Sequence, residues 1–199
     1  MRPDLQVVAT LVQPGSRVLD LGCGTGELLA YLAKSHGCTG TGVDTDPESL
    51  IAAIRHGVSV IDLDIDTQLD EFADGSYDIV VLSQTLQATR MPEQIMEQIR
   101  RIAGVGVVSV PNFAHWRNRV SLACSGRMPV SPALPHRWQD TPNIHLSSLL
   151  DLEQLFAEQR FTIRQRITLD PEGRAARGIA RGGRANLLAA GAAYLVASA

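Results

Sequence analysis

Ten residues near the start of this 199-residue chain, Val18-Leu19-Asp20-Leu21-Gly22-Cys23-Gly24-Thr25-Gly26-Glu27, place three glycines between a strand and a helix. Arg17 to Leu21 reads as the strand. Over Glu27 to Lys34, Leu28, Leu29, Leu32 and Ala33 recur at helical spacing, and His36 with Gly37 supplies a stop. Glycine suits such a junction because it tolerates a sharp turn and lets a ligand approach the backbone, where the first amides of the helix act as donors. Asp44, at the end of the next strand, follows Gly26 by 18 residues, near the ~20-residue spacing of a ribose-binding acid. The pattern is Gly-x-Gly-x-Gly, and Glu27 stands where the dinucleotide fingerprint needs its third glycine, which disfavours NAD. Asp20 at the mouth of the loop suits the ammonium of a methionine moiety better than a pyrophosphate.

Beyond the loop, short β-branched runs alternate with helical segments, the pattern of a parallel sheet covered by helices. Thr39 to Val43, Val58 to Leu63, Tyr77 to Leu82 and Val105 to Val110 predict the second to fifth strands. Asp46-Pro47 starts a helix that ends at Gly57, since the carboxylate accepts from orphan amides and proline fits the first helical position. Pro92 opens another helix. Ser148 to Asp151 resembles a capping box with Asp in the acidic position, opening a helix that ends near Gln159. Phe161 to Thr168 and Leu188 to Val196 predict the last two strands, joined by an Arg-Gly-rich loop over 173–184. With 45% hydrophobic content and neither repeat nor linker, 1–199 is expected to form one domain. Within it, 112–146 stands out as an irregular stretch rich in Pro, Arg and aromatic residues.

Charge narrows the function classes. The net charge is −3, but residues 44–78 hold ten Asp and Glu against Arg55 alone, and residues 98–139 hold six Arg and no acid. No aromatic residue interleaves Arg174, Arg177, Arg181 and Arg184 as a base-stacking platform requires, so nucleic-acid binding is disfavoured. Apolar stretches stop well short of the ~20 residues of a membrane span. The first six residues, which include Asp4 and Gln6, lack the apolar core of a secretion signal. Cys23, Cys38 and Cys124 form neither a close pair nor a metal-ligand cluster, so no metal is expected and a cytoplasmic location is.

Through LDLGCGTG, Asp44 and YDIVVLSQTL, the chain resembles the class I S-adenosylmethionine-dependent methyltransferases. That resemblance implies an α/β, Rossmann-like fold: a seven-stranded, mostly parallel sheet in the order 3-2-1-4-5-7-6, the last strand antiparallel, with helices on both faces. It also implies S-adenosylmethionine as cofactor. Asp20 would face the methionine end, Gly22, Gly24 and Gly26 would line the loop, and Asp44 would take the ribose hydroxyls. Asp64 and Ile65 match the position after strand three that borders adenine, although Asp62 and Asp66 flank Asp64 and leave that assignment open by one pleat. Ser83 follows strand four near the methionine moiety.

Three longer stretches, LSQTLQATRMPE from Leu82, VPNFAHWRNR from Val110 and GRMPVSPALPHRWQDTPNIHL from Gly126, resemble the MetW family of methionine-biosynthesis proteins. Thr25 departs from the Asp often found there, and the loop before Asn186 is unusually rich in Arg. The likeness implies a protein acting beside homoserine O-acyltransferase; an independent small-molecule methyltransferase is the alternative. Methyl transfer needs alignment and exclusion of water, and a general base only for some acceptors, so no catalytic residue is assigned. His115 and His145 are candidate bases if they face the cleft, with Gln84 and Asp140 as further polar contacts and Arg117, Arg119 and Arg137 as carboxylate binders. Ser83-Gln84-Thr85-Leu86 replaces the Asp/Asn-Pro-Pro-aromatic motif of DNA amino-methyltransferases. Phe113, Trp116 and Trp138, with Arg127 and the prolines around them, make 112–146 a candidate lid or partner surface.

Overall fold

The computed structural model describes residues 1–176 and 183–199. Strand β1 (Arg17–Leu21) turns Val18 toward one core and Leu19 and Leu21 toward the other, as the two-residue period of a strand dictates. Strand β2 (Thr39–Asp44) lies parallel beside it, with Thr41 opposite Leu19, and β3 (Ser59–Asp62) forms the edge beyond. On the other side β4 (Ile79–Ser83) and then β5 (Val105–Pro111) continue the parallel run. Strand β7 (Gly191–Ser198) is antiparallel both to β5 and to β6 (Phe161–Leu169), which closes the order β3-β2-β1-β4-β5-β7-β6. This is the Rossmann-like order that the resemblance implied.

Parallel neighbours need crossovers, and helices supply them on both faces. On one face α4 (Pro92–Ile102) sets Ile95, Met96, Ile99 and Ile102 over Leu19, Val80, Leu82 and Val108, joined by Leu149, Leu152 and Phe156 of α6 (Leu149–Glu158). On the other, α1 (Pro3–Ala9) and α2 (Glu27–His36) bury Leu5, Val8, Leu28 and Leu32 against Val18, Val81 and Val107. Each such side chain contributes about 1.5–3 kcal/mol. Helix α3 (Pro47–Arg55) carries the predicted cap, Asp46 accepting from the Ser49 N–H at 3.1 Å. The Ser148–Asp151 capping box is present on α6.

Three α-helices among the described residues escaped the sequence reading. Helix α1 is seven residues long, too short for periodicity to register, and it owes its stability to packing. Helix α5 (Trp116–Ser125) lies inside the stretch read as irregular; among its residues Asn118 alone is buried, so no apolar stripe announces it. Helix α7 (Gly183–Leu188) takes Leu188, which had been assigned to the last strand. That strand starts at Gly191 because β5 approaches closely there, and a Cβ would fall 2.8 Å from the Val110 carbonyl oxygen. Part of the Arg-Gly-rich loop, including Arg177 and Arg181, lies outside the described residues.

A buried polar knot fastens the start of the 112–146 segment to the sheet. Asn112, fully buried, donates through Nδ2 to the Asn186 and Ala189 carbonyls, both at 2.7 Å, while its Oδ1 accepts the Ala114 N–H at 3.1 Å. Asn118 donates to the Asn112 and Phe113 carbonyls, and the Asn186 Oδ1 accepts the Leu149 N–H at 3.0 Å. Replacing Asn112 by Ala strands the buried Asn186 and Ala189 carbonyls and the part-buried Ala114 N–H at once. Urea unfolding of Asn112→Ala is therefore expected to show a loss of about 2–4 kcal/mol, above the ordinary range for a single hydrogen bond.

Candidate functional site

The glycine loop is shaped by the strand beside it. The N–H groups of Gly22 and Cys23 both donate to the Val43 carbonyl, at 2.8 and 3.0 Å, which draws the end of β1 toward the end of β2. Gly22, Gly24 and Gly26 all take left-handed φ, at 73°, 53° and 73°. A Cβ on Gly22 would fall 2.5 Å from the Thr85 Oγ1, and one on Gly26 would fall 2.9 Å from the Ala53 Cβ. At Gly24 nothing lies within 4 Å, so its missing side chain leaves room in an open cleft. The Gly24 N–H donates at 2.8 Å to one oxygen of Asp44, whose other oxygen accepts the N–H groups of Thr45 and Asp46.

Asp20 shares its strand face with Val18 and is 2% exposed, and its Oδ1 has no hydrogen-bond partner. Burial, reinforced by the negative charge of Asp44, pushes its carboxyl up to about 7. The same burial, followed by the charges of Asp20 and Asp44, pushes the Cys23 thiol up to about 12, which removes it as a thiolate nucleophile. The site thus holds two nearby carboxylates, one desolvated and short of a donor. That arrangement favours a cationic guest.

The cleft over the loop encloses about 420 Å³ and gathers Asp20, Gly22, Gly24 and Ser83 from the predicted set. Gly26, the N-cap of α2, turns away toward Ala53 of α3 and Val58, and Asp44 stands behind the loop, holding its shape. Asp64 and Ile65 lie past the end of β3, outside the cleft wall; the Asp64 Oδ1 accepts the Asp66 N–H at 2.9 Å and Ile65 packs on the core. Arg2, Leu5, Ser49 and Thr85 also line the cleft. The sequence reading missed them, and only Thr85, just past β4, lay where a strand-end rule would have found it.

Gln84, named from sequence, does line the cleft. Its φ is 60°, a left-handed backbone costing about 1–2 kcal/mol outside glycine. Its N–H donates to the Ser109 carbonyl at 3.0 Å, and its own carbonyl accepts from the Gln87 Nε2 at 2.8 Å. Gln84 and Arg2 are also walls of a second cavity, of about 370 Å³, bounded by Pro132, Pro135, Pro142 and the turn at Asp170.

Neither candidate base reaches the cleft. His115 caps α5 and is 7% exposed; burial, and then the charge of Arg117, hold its pKa below the usual histidine range. The His145 Nε2 sits 3.4 Å from the Arg90 carbonyl. Asp140, Arg117, Arg119 and Arg137 are not cleft walls either. Arg117 lies over the Trp116 ring at 5.4 Å, and Arg119 donates to the Ala114 carbonyl at 2.6 Å.

With this geometry the comparisons with known proteins agree. The family described as methionine biosynthesis protein MetW matches residues 2–196. The chain belongs to the MetW family. A curated relative, the bifunctional methionine biosynthesis protein MetXA/MetW of Rhodopirellula baltica, is 31% identical over 176 residues, covering 84% of this chain. The MetW-family chain spans only 28% of that relative's length. Among solved structures, an S-adenosylmethionine-dependent methyltransferase of Thermotoga maritima, described as a possible histamine N-methyltransferase, superposes with a TM-score of 0.70. It is 18% identical and covers 99% of this chain and 88% of its own. The [4+2]-cyclase SpnF, also 18% identical, gives a TM-score of 0.65 over 98% of this chain and 80% of its own. These structures establish the fold.

The glycines separate fold from site. Gly26→Ala meets Ala53 and a disfavoured φ, and is expected to lose about 2–4 kcal/mol in chemical denaturation. Gly24→Ala meets only the disfavoured φ, and is expected to lose about 1–2 kcal/mol and remain folded.

Proposed function

We propose that the chain binds S-adenosylmethionine in the glycine-loop cleft and acts in methionine biosynthesis beside a homoserine O-acyltransferase. The observation that carries the reading is the buried Asp20 carboxylate, with an unpaired oxygen, in the wall of a cleft whose floor at Gly24 is bare. The ammonium and sulfonium of the methionine end would meet that negative site. Gly22 and Gly24 would let the cofactor approach the backbone, Gly26 would hold the loop's shape by its close packing on Ala53, and Asp44, with lone pairs beyond those it gives to the loop, would accept from the ribose hydroxyls. Asp64 and Ile65 would border the adenine, and Ser83 would lie near the methionine moiety. When bound, the cofactor supplies an electrophilic methyl group. The chain's part is to orient it and exclude water.

Partnership is supported by the relative in which a MetW-like region and a region named MetXA share one polypeptide. On this chain the surface we assign to that partner is 112–146. Trp138 is 75% exposed, Val130 and Ile144 are 58% exposed, and Phe113, Met128, Leu134 and Trp138 wall an apolar crevice of about 180 Å³. Such side chains suit the apolar centre of an interface, with Arg127 and Arg137 on its polar rim. A second reading, an independent small-molecule methyltransferase, is favoured by one observation: the second cavity adjoins the cleft through Arg2 and Gln84, where an acceptor would sit.

Calorimetry tests the cofactor. S-adenosylmethionine or its demethylated product should bind and NAD should bind more weakly, and Asp44→Ala should weaken the methionine nucleosides by about 1–3 kcal/mol. Tighter binding of NAD would overturn the reading.

The pH dependence follows from Asp20. Its folded pKa is raised, so the stability that Asp20 contributes to the ligand-free protein is fully present below about 4 and is lost as pH rises toward about 7. A cation needs the ionised form, so affinity should rise with pH and be about tenfold weaker at pH 6 than at its plateau. Asp20→Asn should flatten the profile between pH 5.5 and 7.5.

For the partner, Arg137→Ala combined with Trp138→Ala should leave the melting temperature unchanged and weaken association with the host homoserine O-acyltransferase by about tenfold or more. Wild-type association of that variant would leave 112–146 as a lid.

A further inference from the structure

Besides its sulfonium, the methionine end of the proposed cofactor carries an ammonium and an α-carboxylate, and the cleft presents one buried acid, Asp20, to meet the ammonium. Its α-carboxylate needs a cation. Among the described residues that line the cleft, Arg2 is the only Lys, Arg or His. The backbone that carries Arg2 is fixed. Its carbonyl accepts the Gln6 N–H at 3.2 Å, and Leu5, Val7 and Val8 of α1 are buried against α2 and the sheet. Asp4 sits 3.4 Å from the Arg2 guanidinium, with its own side chain only 15% exposed. Gly173 backs it so closely that a Cβ there would lie 3.3 Å from both the Asp4 Cβ and its nitrogen. Asp4 is thus a braced acid that restrains the arginine while leaving donors of the guanidinium fork free.

We propose that Arg2 binds the α-carboxylate of the cofactor's methionine moiety, so that Arg2 and Asp20 together recognise it as a zwitterion. This rests on the S-adenosylmethionine reading above. An arginine fork matches a carboxylate with two parallel hydrogen bonds, the strongest pairing available to that group from a side chain. The competing donors are the backbone amides of the first turn of α2, since those of Gly22, Cys23, Gly24 and Gly26 are taken by acceptors of the loop and β2. If those held the carboxylate, Arg2 would be dispensable.

The test is calorimetry of the wild type, Arg2→Ala and Arg2→Lys with two ligands, S-adenosylmethionine and its decarboxylated analogue, which lacks only the carboxylate. Arg2→Ala should lower the affinity for S-adenosylmethionine by about ten- to hundredfold and leave the decarboxylated analogue unaffected. Arg2→Lys should fall between wild type and Arg2→Ala, because it keeps the charge and loses the fork. Equal losses for both ligands would make Arg2 a support of α1 and overturn the proposal, as would unchanged binding of S-adenosylmethionine by Arg2→Ala. A wild-type protein that binds neither ligand would instead overturn the cofactor reading itself, and this proposal with it.

Discussion

The hydrogen bond from the Gly24 N–H to Asp44, 2.8 Å long and assisted by the carboxylate's charge, joins the two strand ends on which the cleft is built. Together with the paired donation of Gly22 and Cys23 to the Val43 carbonyl, it holds three left-handed glycines in register with β2. The same carboxylate bears on Asp20, where its negative charge adds to burial in resisting ionisation. Shape and electrostatics of the loop therefore have one source. A guest that brings positive charge relieves the desolvated acid and leaves the loop as it stands.

Fold and function separate along that line. The T. maritima methyltransferase and the cyclase SpnF share this architecture at equal, low identity. What the scaffold hosts is decided by the side chains set into it. Here the cleft is lined by two acids, Asp20 and Glu27, one arginine and no histidine among the described residues. Such a lining discriminates by charge and leaves little for proton transfer.

Much of this was legible before any coordinates. The strand order and Ser83 came with the family resemblance, and the strands, the glycine junction, Asp20 and the caps at Asp46 and Ser148 have local signatures, a period, a turn residue or a capping pair. What stayed hidden has none. Arg2 and Leu5 reach the cleft because α1 docks across the sheet, a contact made far along the chain from the residues it touches. His115 and His145 looked available because a sequence does not show which way an irregular segment faces; the first is buried at the N-cap position of α5. Helix α5 shows no apolar period, since its buried contact is a hydrogen-bonded asparagine.

Strand β7 has a consequence in time. It comes last of the seven strands in sequence but sits between β5 and β6, bonded to both. During synthesis β6 emerges with no partner in place, and the β5 edge stays open until the final segment threads antiparallel between them. The pairing spans a long sequence separation and its loop-closure cost falls at the end, which slows this step relative to the parallel half around β1. Until it is complete, two unpaired strand edges face the solvent, and these are the surfaces on which a half-made sheet recruits another chain. The chain's slowest and most exposed moment on the way to its fold is thus set by where its last strand must go.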